Sequence, residues 1–238
     1  MRTVVQNLKS WSRIYFLLAL LIVLVYCLPS SAKAIGFGPY VDVSTGSGEW
    51  NNWCLWGPCS SDDYDITTAG FGLAVDTAPT GKTIFNYRLS IGYERQDMED
   101  IEPMYPEYGS SYDLTLKLHG ISVENVFGFA VLRRPNLRWW VGPLVRIGFY
   151  KGETEDYYGV LGDRRRTEAD LTEYGVGVSS GVNIRVRKNM VLAPEAGFRF
   201  VYADGDGTDI NDTIGIRSEK DIDGSFSAVF LNFALIFD

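Results

Sequence analysis

Residues 225–238 place Ser227, Val229, Leu231, Phe233, Leu235 and Phe237 at alternating positions. A strand of period two turns that row to one face, apolar along its whole length. The other parity, Phe226, Ala228, Phe230, Asn232, Ala234 and Ile236, is smaller and more mixed. A terminal strand this apolar cannot leave an edge open, because unpaired ladder groups beside a greasy face recruit other chains. Closing the sheet on itself removes the edge.

Seven further segments carry the same period: 35–44, 65–76, 83–94, 112–131, 138–151, 170–186 and 190–202. In the fourth, Tyr112, Leu114, Leu116 and Leu118 form the apolar row as far as Gly120, after which the row moves to Ile121, Val123, Phe127, Phe129 and Val131. One inserted residue shifts parity in this way, so a β-bulge is expected at His119–Gly120, with His119 turned to the lumen. The connections alternate between long (20, 16, 18 and 22 residues) and short (six, five and three). All long loops therefore fall at one end and all turns at the other, the asymmetry of barrels with external loops and short inner turns.

The first 34 residues stand apart. Arg2, Lys9 and Arg13 precede an apolar run over 14–28, and Pro29-Ser30-Ser31-Ala32-Lys33-Ala34 offers the small residues of a cleavage site. The apolar run is shorter than the ~20 residues that span a bilayer as a helix. A signal peptide over 1–34, cleaved after Ala34, and a single domain over 35–238 are expected. Cleavage takes four of the 22 Lys and Arg and none of the 30 Asp and Glu, leaving 18 against 30, a balance of −12. A nucleic-acid partner is disfavoured on that charge. Cys27 leaves with the peptide, and Cys54 and Cys59, close together in an exported chain, are expected to form a small disulfide loop.

Period two does not say which face meets lipid. The row opposite the apolar one is rich in small residues (Gly70, Gly72, Gly92, Gly142, Gly148, Gly175, Gly177, Ser179, Gly181), which suit a crowded lumen better than a solvated exterior. Its charges have mixed sign: Arg88, Glu94, Lys117, Glu124, Arg146, Glu173, Glu195 and Arg199. Charges in a narrow barrel must pair, so these eight are expected to form a lumen ion-pair network. The apolar row also sorts its aromatics. Tyr93, Tyr112, Phe149, Tyr174 and Tyr202 lie beside long loops, and Phe85, Phe127, Phe129, Trp139 and Phe237 lie at the turn end. Two aromatic belts bordering an apolar band are what a lipid interface selects.

On the N-terminal peptide, the loop alternation and the closing F-A-L-I-F-D, the mature chain resembles a small outer-membrane β-barrel of the OmpX/OmpA kind. The resemblance implies an all-β fold, an eight-stranded antiparallel up-and-down transmembrane β-barrel in a Gram-negative outer membrane. Such barrels usually end on an outward aromatic, whereas here Phe237 is penultimate and Asp238 follows.

Eight strands enclose an interior filled by side chains, so no diffusion pore is expected and function falls to loops or wall. The first loop holds Trp50, Trp53 and Trp56, the aromatic content of a contact surface or of a loop packed on itself. In the last loop, Asp204, Asp206, Asp209 and Asp212 have the spacing of calcium ligands without the full twelve-residue pattern, and a solvated acidic loop is the competing reading. Arg164, Arg165 and Arg166 in the third long loop suit anionic lipopolysaccharide. His119 is the one histidine, and with it turned to the lumen no catalytic constellation is expected. The chain is therefore expected to be a monomeric, non-enzymatic envelope or surface-contact barrel without cofactor or bound metal. Its partners are outer-membrane lipid, lipopolysaccharide and an extracellular or host surface. A lipid-A-modifying enzyme and a soluble lipocalin-like barrel are the alternatives.

Overall fold

The computed structural model describes residues 35–50, 62–80, 83–101, 114–154, 157–158 and 164–237. The expected signal peptide, Cys54, Cys59, Trp53, Trp56 and Tyr112 lie outside them. Nine strands follow one another: β1 Gly36–Trp50, β2 Asp62–Asp76, β3 Phe85–Ile101, β4 Leu114–Arg134, β5 Leu137–Thr154, β6 Tyr157–Tyr158, β7 Arg164–Arg187, β8 Met190–Asn211 and β9 Ile216–Phe237. Each long strand pairs antiparallel with its sequence neighbour. β1 pairs with β9 and β5 with β7, so eight strands close a ring and the two-residue β6 lies beside β7.

Alternation along each strand decides what faces outward. Val178, Leu231 and Phe233 are more than half exposed, whereas Arg146 and Glu195 are almost wholly buried. On β5 the outward row runs from Trp139 to Phe149, about 33 Å along the strand and close to the ~25 Å apolar band of an outer-membrane barrel once tilt is allowed for. An exterior carrying Phe37, Val41, Phe71, Leu73, Ile91, Ile121, Val141, Val145, Val176 and Phe200 has no place in water. This is the wall of a membrane-spanning barrel.

Beyond that band the rule inverts. Outward positions become Glu49, Asp63, Arg95, Asp97, His119, Lys151, Asp170 and Asp221, while Trp50, Tyr64, Ile66, Met98, Leu116, Leu118, Leu171, Ile222 and Phe226 pack together inside. The strands continue past the lipid into water, where an ordinary apolar core is favoured. The parity change in β4 belongs to this inversion. No bulge lies at His119–Gly120, because Glu94 to Arg95 and Tyr150 to Lys151 pair through it without a shift. The irregularities of β4 lie opposite Met98–Ile101 and at Ala130–Leu132. His119 and Lys117 consequently stand on the outer side, not in the lumen.

The 22-residue loop expected over 203–224 is a hairpin, because β8 and β9 stay paired from Ala203↔Gly224 to Asn211↔Ile216 and turn through Gly215 at φ 70°. A residue without Cβ suits that left-handed position. Arg164, Arg165 and Arg166 likewise open strand β7, and Arg166 faces Glu153 (3.8 Å) and Glu168 (3.4 Å). The inward glycines make room for large lumen side chains: a Cβ on Gly92 would strike the Tyr40 hydroxyl, and one on Gly181 the Trp140 ring.

A cation on the outward face of the band has no partner in hydrocarbon. Leu231→Arg is expected to cost about 2–4 kcal/mol, measured by urea unfolding of the vesicle-inserted protein. Glu219→Arg, at an exposed position of the same strand beyond the band, is expected to leave the transition within error.

Candidate functional site

The middle of the lumen holds the chain's buried charge. β3 contributes Arg88, Glu94 and Gln96, β4 Ser122 and Glu124, β5 Arg146 and Tyr150, β7 Glu173 and Asn183, and β8 Glu195 and Arg199, all on the inward parity. Toward the turn end, Arg88 donates to Asp76 (3.0 Å), Glu195 (3.0 Å) and Asn183 Oδ1 (2.9 Å), with its guanidinium 5.1 Å from the centre of the Trp140 ring. Farther up, Arg146 grips both oxygens of Glu94, which also accepts from Ser122 and from the Tyr150 hydroxyl at 2.7 Å. Glu173 lies 3.9 Å from Arg146 and accepts from Gln96 Nε2 at 3.2 Å. Arg199 lies between Asp42 (3.7 Å) and Glu124 (3.6 Å), donates to Ser44 Oγ at 2.7 Å and stands over Phe230. Charge-assisted bonds of this kind compensate the loss of hydration that burial imposes.

Both ends of this chamber are closed. The apolar cluster led by Trp50, Tyr64 and Met98 fills the lumen above it, with Trp50 and Tyr64 stacked at 5.3 Å. Below, Thr77, Ala78 and Pro79 fold inward from the β2–β3 connection and are buried. Asp76 accepts from the Ala78 amide (2.9 Å), Asn183 donates to Pro79 O (2.7 Å), and Arg138 donates to Ala78 O (2.7 Å) and Ile84 O (3.1 Å). The turn is thus bolted to the same side chains that satisfy Arg88. Among the described residues, side chains fill the lumen both above and below the charged chamber.

Of the eight charges expected in the lumen, Arg88, Glu94, Glu124, Arg146, Glu173, Glu195 and Arg199 are found there, and Lys117 is on the outer face. Asp42, Asp76 and Arg138 join them, although sequence reading passed over all three. Each lies on the inward parity of its strand, so parity alone could have found them. Of the ten expected belt aromatics, Tyr93, Phe149, Tyr174 and Tyr202 are exposed at the loop border and Phe129, Trp139 and Phe237 at the turn border. Phe85 packs on Phe129 and Phe127 on Tyr87. Between the borders, Asn125 interrupts the outward row of β4, and the Tyr87 hydroxyl donates to its Oδ1 at 2.6 Å. That bond satisfies a polar group lipid cannot serve.

The four aspartates read as calcium ligands do not converge. Asp204 and Asp206 point outward from β8, Asp209 is buried on the other side, and Asp212 sits in the tight turn. Among the described residues no three acidic, histidine or cysteine side chains gather as a metal site. Asp206 instead faces Asp221 across the hairpin. Partial burial, the hydrogen bond with Asp221 and that neighbour's charge raise its carboxyl above the ordinary range.

A scan of family models finds no match, and a search of curated proteins finds none. Solved structures that align with the chain include the outer-membrane protease OmpT of Escherichia coli, at 10% identity over 88% of this chain and 98% of that one, TM-score 0.44. A major outer-membrane protein of Thermus thermophilus aligns at 11% identity over 83% and 98%, TM-score 0.45. Ail, the attachment invasion locus protein of Yersinia pestis, solved with the heparin analogue sucrose octasulfate, aligns at 11% over 84% and 99%, TM-score 0.30. The closed ring, the apolar outer band and the ionised lumen make this chain an eight-stranded outer-membrane β-barrel.

Removing one member of a buried pair strands the other. Arg146→Met is expected to lower stability by about 3–5 kcal/mol, and Arg146→Met with Glu94→Gln by clearly less than the sum of the single changes, read by urea titration in vesicles. Asp206 binds its proton more tightly folded than unfolded, so its contribution is full at low pH and declines as pH rises through the folded value. Asp206→Asn is expected to flatten that part of the stability–pH curve.

Proposed function

We propose that this barrel is a non-enzymatic scaffold that holds its extracellular loops away from the bilayer for surface contact and for the integrity of the envelope. The observation that carries the reading is the continuation of β7, β8 and β9 well past the apolar band, with a packed apolar core inside them. Strands with their own core in water make a stiff shaft, and a shaft is of use where the tips must reach something. Exposed Ile214 and Ile216 at the β8–β9 turn give one tip an apolar contact. The filled lumen argues against transport. His119 stands outside between Arg95 and Lys151 on the neighbouring strands, while Ser122 faces inward onto Glu94, so no shared substrate can reach both.

The test has two readouts. Purified protein in planar bilayers is expected to give no conductance steps. Cells displaying the wild type are expected to attach to host-cell or matrix-coated surfaces. Cells in which residues 51–61 and 102–113 are replaced by short Gly-Ser links should not attach, with the heat-shifted gel mobility of the folded barrel unchanged. Ion conduction, or attachment indifferent to the loops, refutes the proposal.

A further inference from the structure

Two irregularities at the turn end have the same effect on an arginine. On β4 the ladder shifts between Ala130, opposite Trp140, and Leu132, opposite Trp139. Val131 is the extra residue, and both it and Leu132 are exposed. Even-numbered residues of β4 face inward before the shift, whereas after it Arg134 falls on the outward row opposite Leu137. On β7 the ladder shifts between Arg185, opposite Val191, and Arg187, opposite Met190. Val186 is the extra residue there, and Arg187 leaves the inward parity to join Met190 and Phe237 on the outer wall. A bulge re-aims the side chains beyond it. Each of these two turns an arginine toward the membrane.

The two arginines share one edge of the barrel. β5 and β7 are neighbours, so the β4–β5 and β7–β8 turns lie side by side, joined by a hydrogen bond from the Arg185 amide to Asn136 O (2.9 Å). The Arg185 guanidinium donates to Lys188 O (2.6 Å) and to the Thr80 hydroxyl, which fixes the second turn to the inward-folded β2–β3 connection. On the outer wall Leu137, Ile184 and Val186 lie between Arg134 and Arg187, and Trp139 stands deeper in the band. Arg134, Arg187 and Lys188 are exposed and form no ion pair among the described residues. The exposed acids of the described residues all lie at the loop end, whereas Asp76 and Glu195, toward the turn end, are buried and bonded to Arg88. This edge is therefore positive without any carboxylate to offset it.

The short turns face the periplasm, so the edge meets the leaflet made of phospholipid. We propose that the β4–β5 and β7–β8 turns bind anionic phospholipid, whose phosphodiester headgroup carries no amine of its own. Phosphate oxygens take charge-assisted hydrogen bonds from Arg134 and Arg187, Lys188 adds a third positive charge beside them, and the acyl chains lie over Leu137, Ile184 and Val186. An arginine at the border of the band costs little, unlike one at its middle. A phosphatidylethanolamine or phosphatidylcholine brings a cation along with its phosphate, and that cation finds no exposed carboxylate here. The headgroup selected is the one with net negative charge.

The full chain is reconstituted in nanodiscs holding equal amounts of phosphatidylglycerol, phosphatidylethanolamine and phosphatidylcholine, released, and weighed by native mass spectrometry. Phosphatidylglycerol is expected to be retained roughly tenfold over each of the others, since every cation near the headgroups adds several-fold to the attraction. The variant Arg134→Gln, Arg187→Gln, Lys188→Gln should lose the preference, and Arg187→Gln alone, the milder change, should lower it about threefold. Lys151→Gln, Arg217→Gln, Lys220→Gln, an equal loss of charge at the loop end, should keep it. Heat-shifted mobility reports whether each variant is folded, and the wild-type ratio needs no variant. Equal retention of the three lipids overturns the proposal, as does a preference that survives the turn variants or disappears in the loop-end control. Sedimentation with purified peptidoglycan that needs the same three cations, without a lipid preference, also overturns it and gives the edge to the cell wall.

Discussion

Every feature of this barrel follows from a change of solvent along its strands. Over the middle of each strand the outside is hydrocarbon and the inside is walled off from water. Outward side chains are therefore apolar, and inward ones are polar only where they find partners. Farther up, the outside is water, and the ordinary preference for an apolar interior returns. One strand, β4, passes from one regime to the other with no break in its hydrogen-bond ladder, exposing Ile121 and Phe129 below and burying Leu118 and Leu116 above.

The two regimes depend on each other. The polar chamber is tolerable because its arginines, Arg88, Arg146 and Arg199, each reach carboxylates on other strands, and the apolar packing above together with the inward turn below keeps the pairs dry and strong. The glycines serve the same packing. Gly92 and Gly181 are the positions at which Tyr40 and Trp140 cross the interior, so the small residues of the inward row are the complement of a few large ones.

Much of this was legible in the sequence, because a period of two survives even where burial reverses. The eight strands, their antiparallel order and seven of the charged lumen residues could be read from alternation alone. What escaped was the reversal. At His119–Gly120 an exchange of apolar and polar faces looks the same as an inserted residue, and only backbone pairing separates them. Over 203–224 the outward Asp204, Asp206, Asp221 and Asp223 alternate with inward Ala203, Gly205, Ile222 and Gly224, a composition that reads as a loop although it pairs throughout. Asp42, Asp76 and Arg138 were missed for a different reason. Each reads as part of a strand or its end, and only the closed ring makes it an internal ion.

The partners of Arg88 are Asp76, twelve residues away, Asn183, 95 away, and Glu195, 107 away. A sheet that has formed only its first hairpins can offer the guanidinium just the nearest of these. The other two arrive when the ends of the chain meet and the cylinder shuts. A half-built wall thus carries ions with nothing to answer them, which makes partial insertion costly and completion abrupt. Once shut, the same contacts act as a latch, and prising the first and last strands apart would expose every one of those ions together.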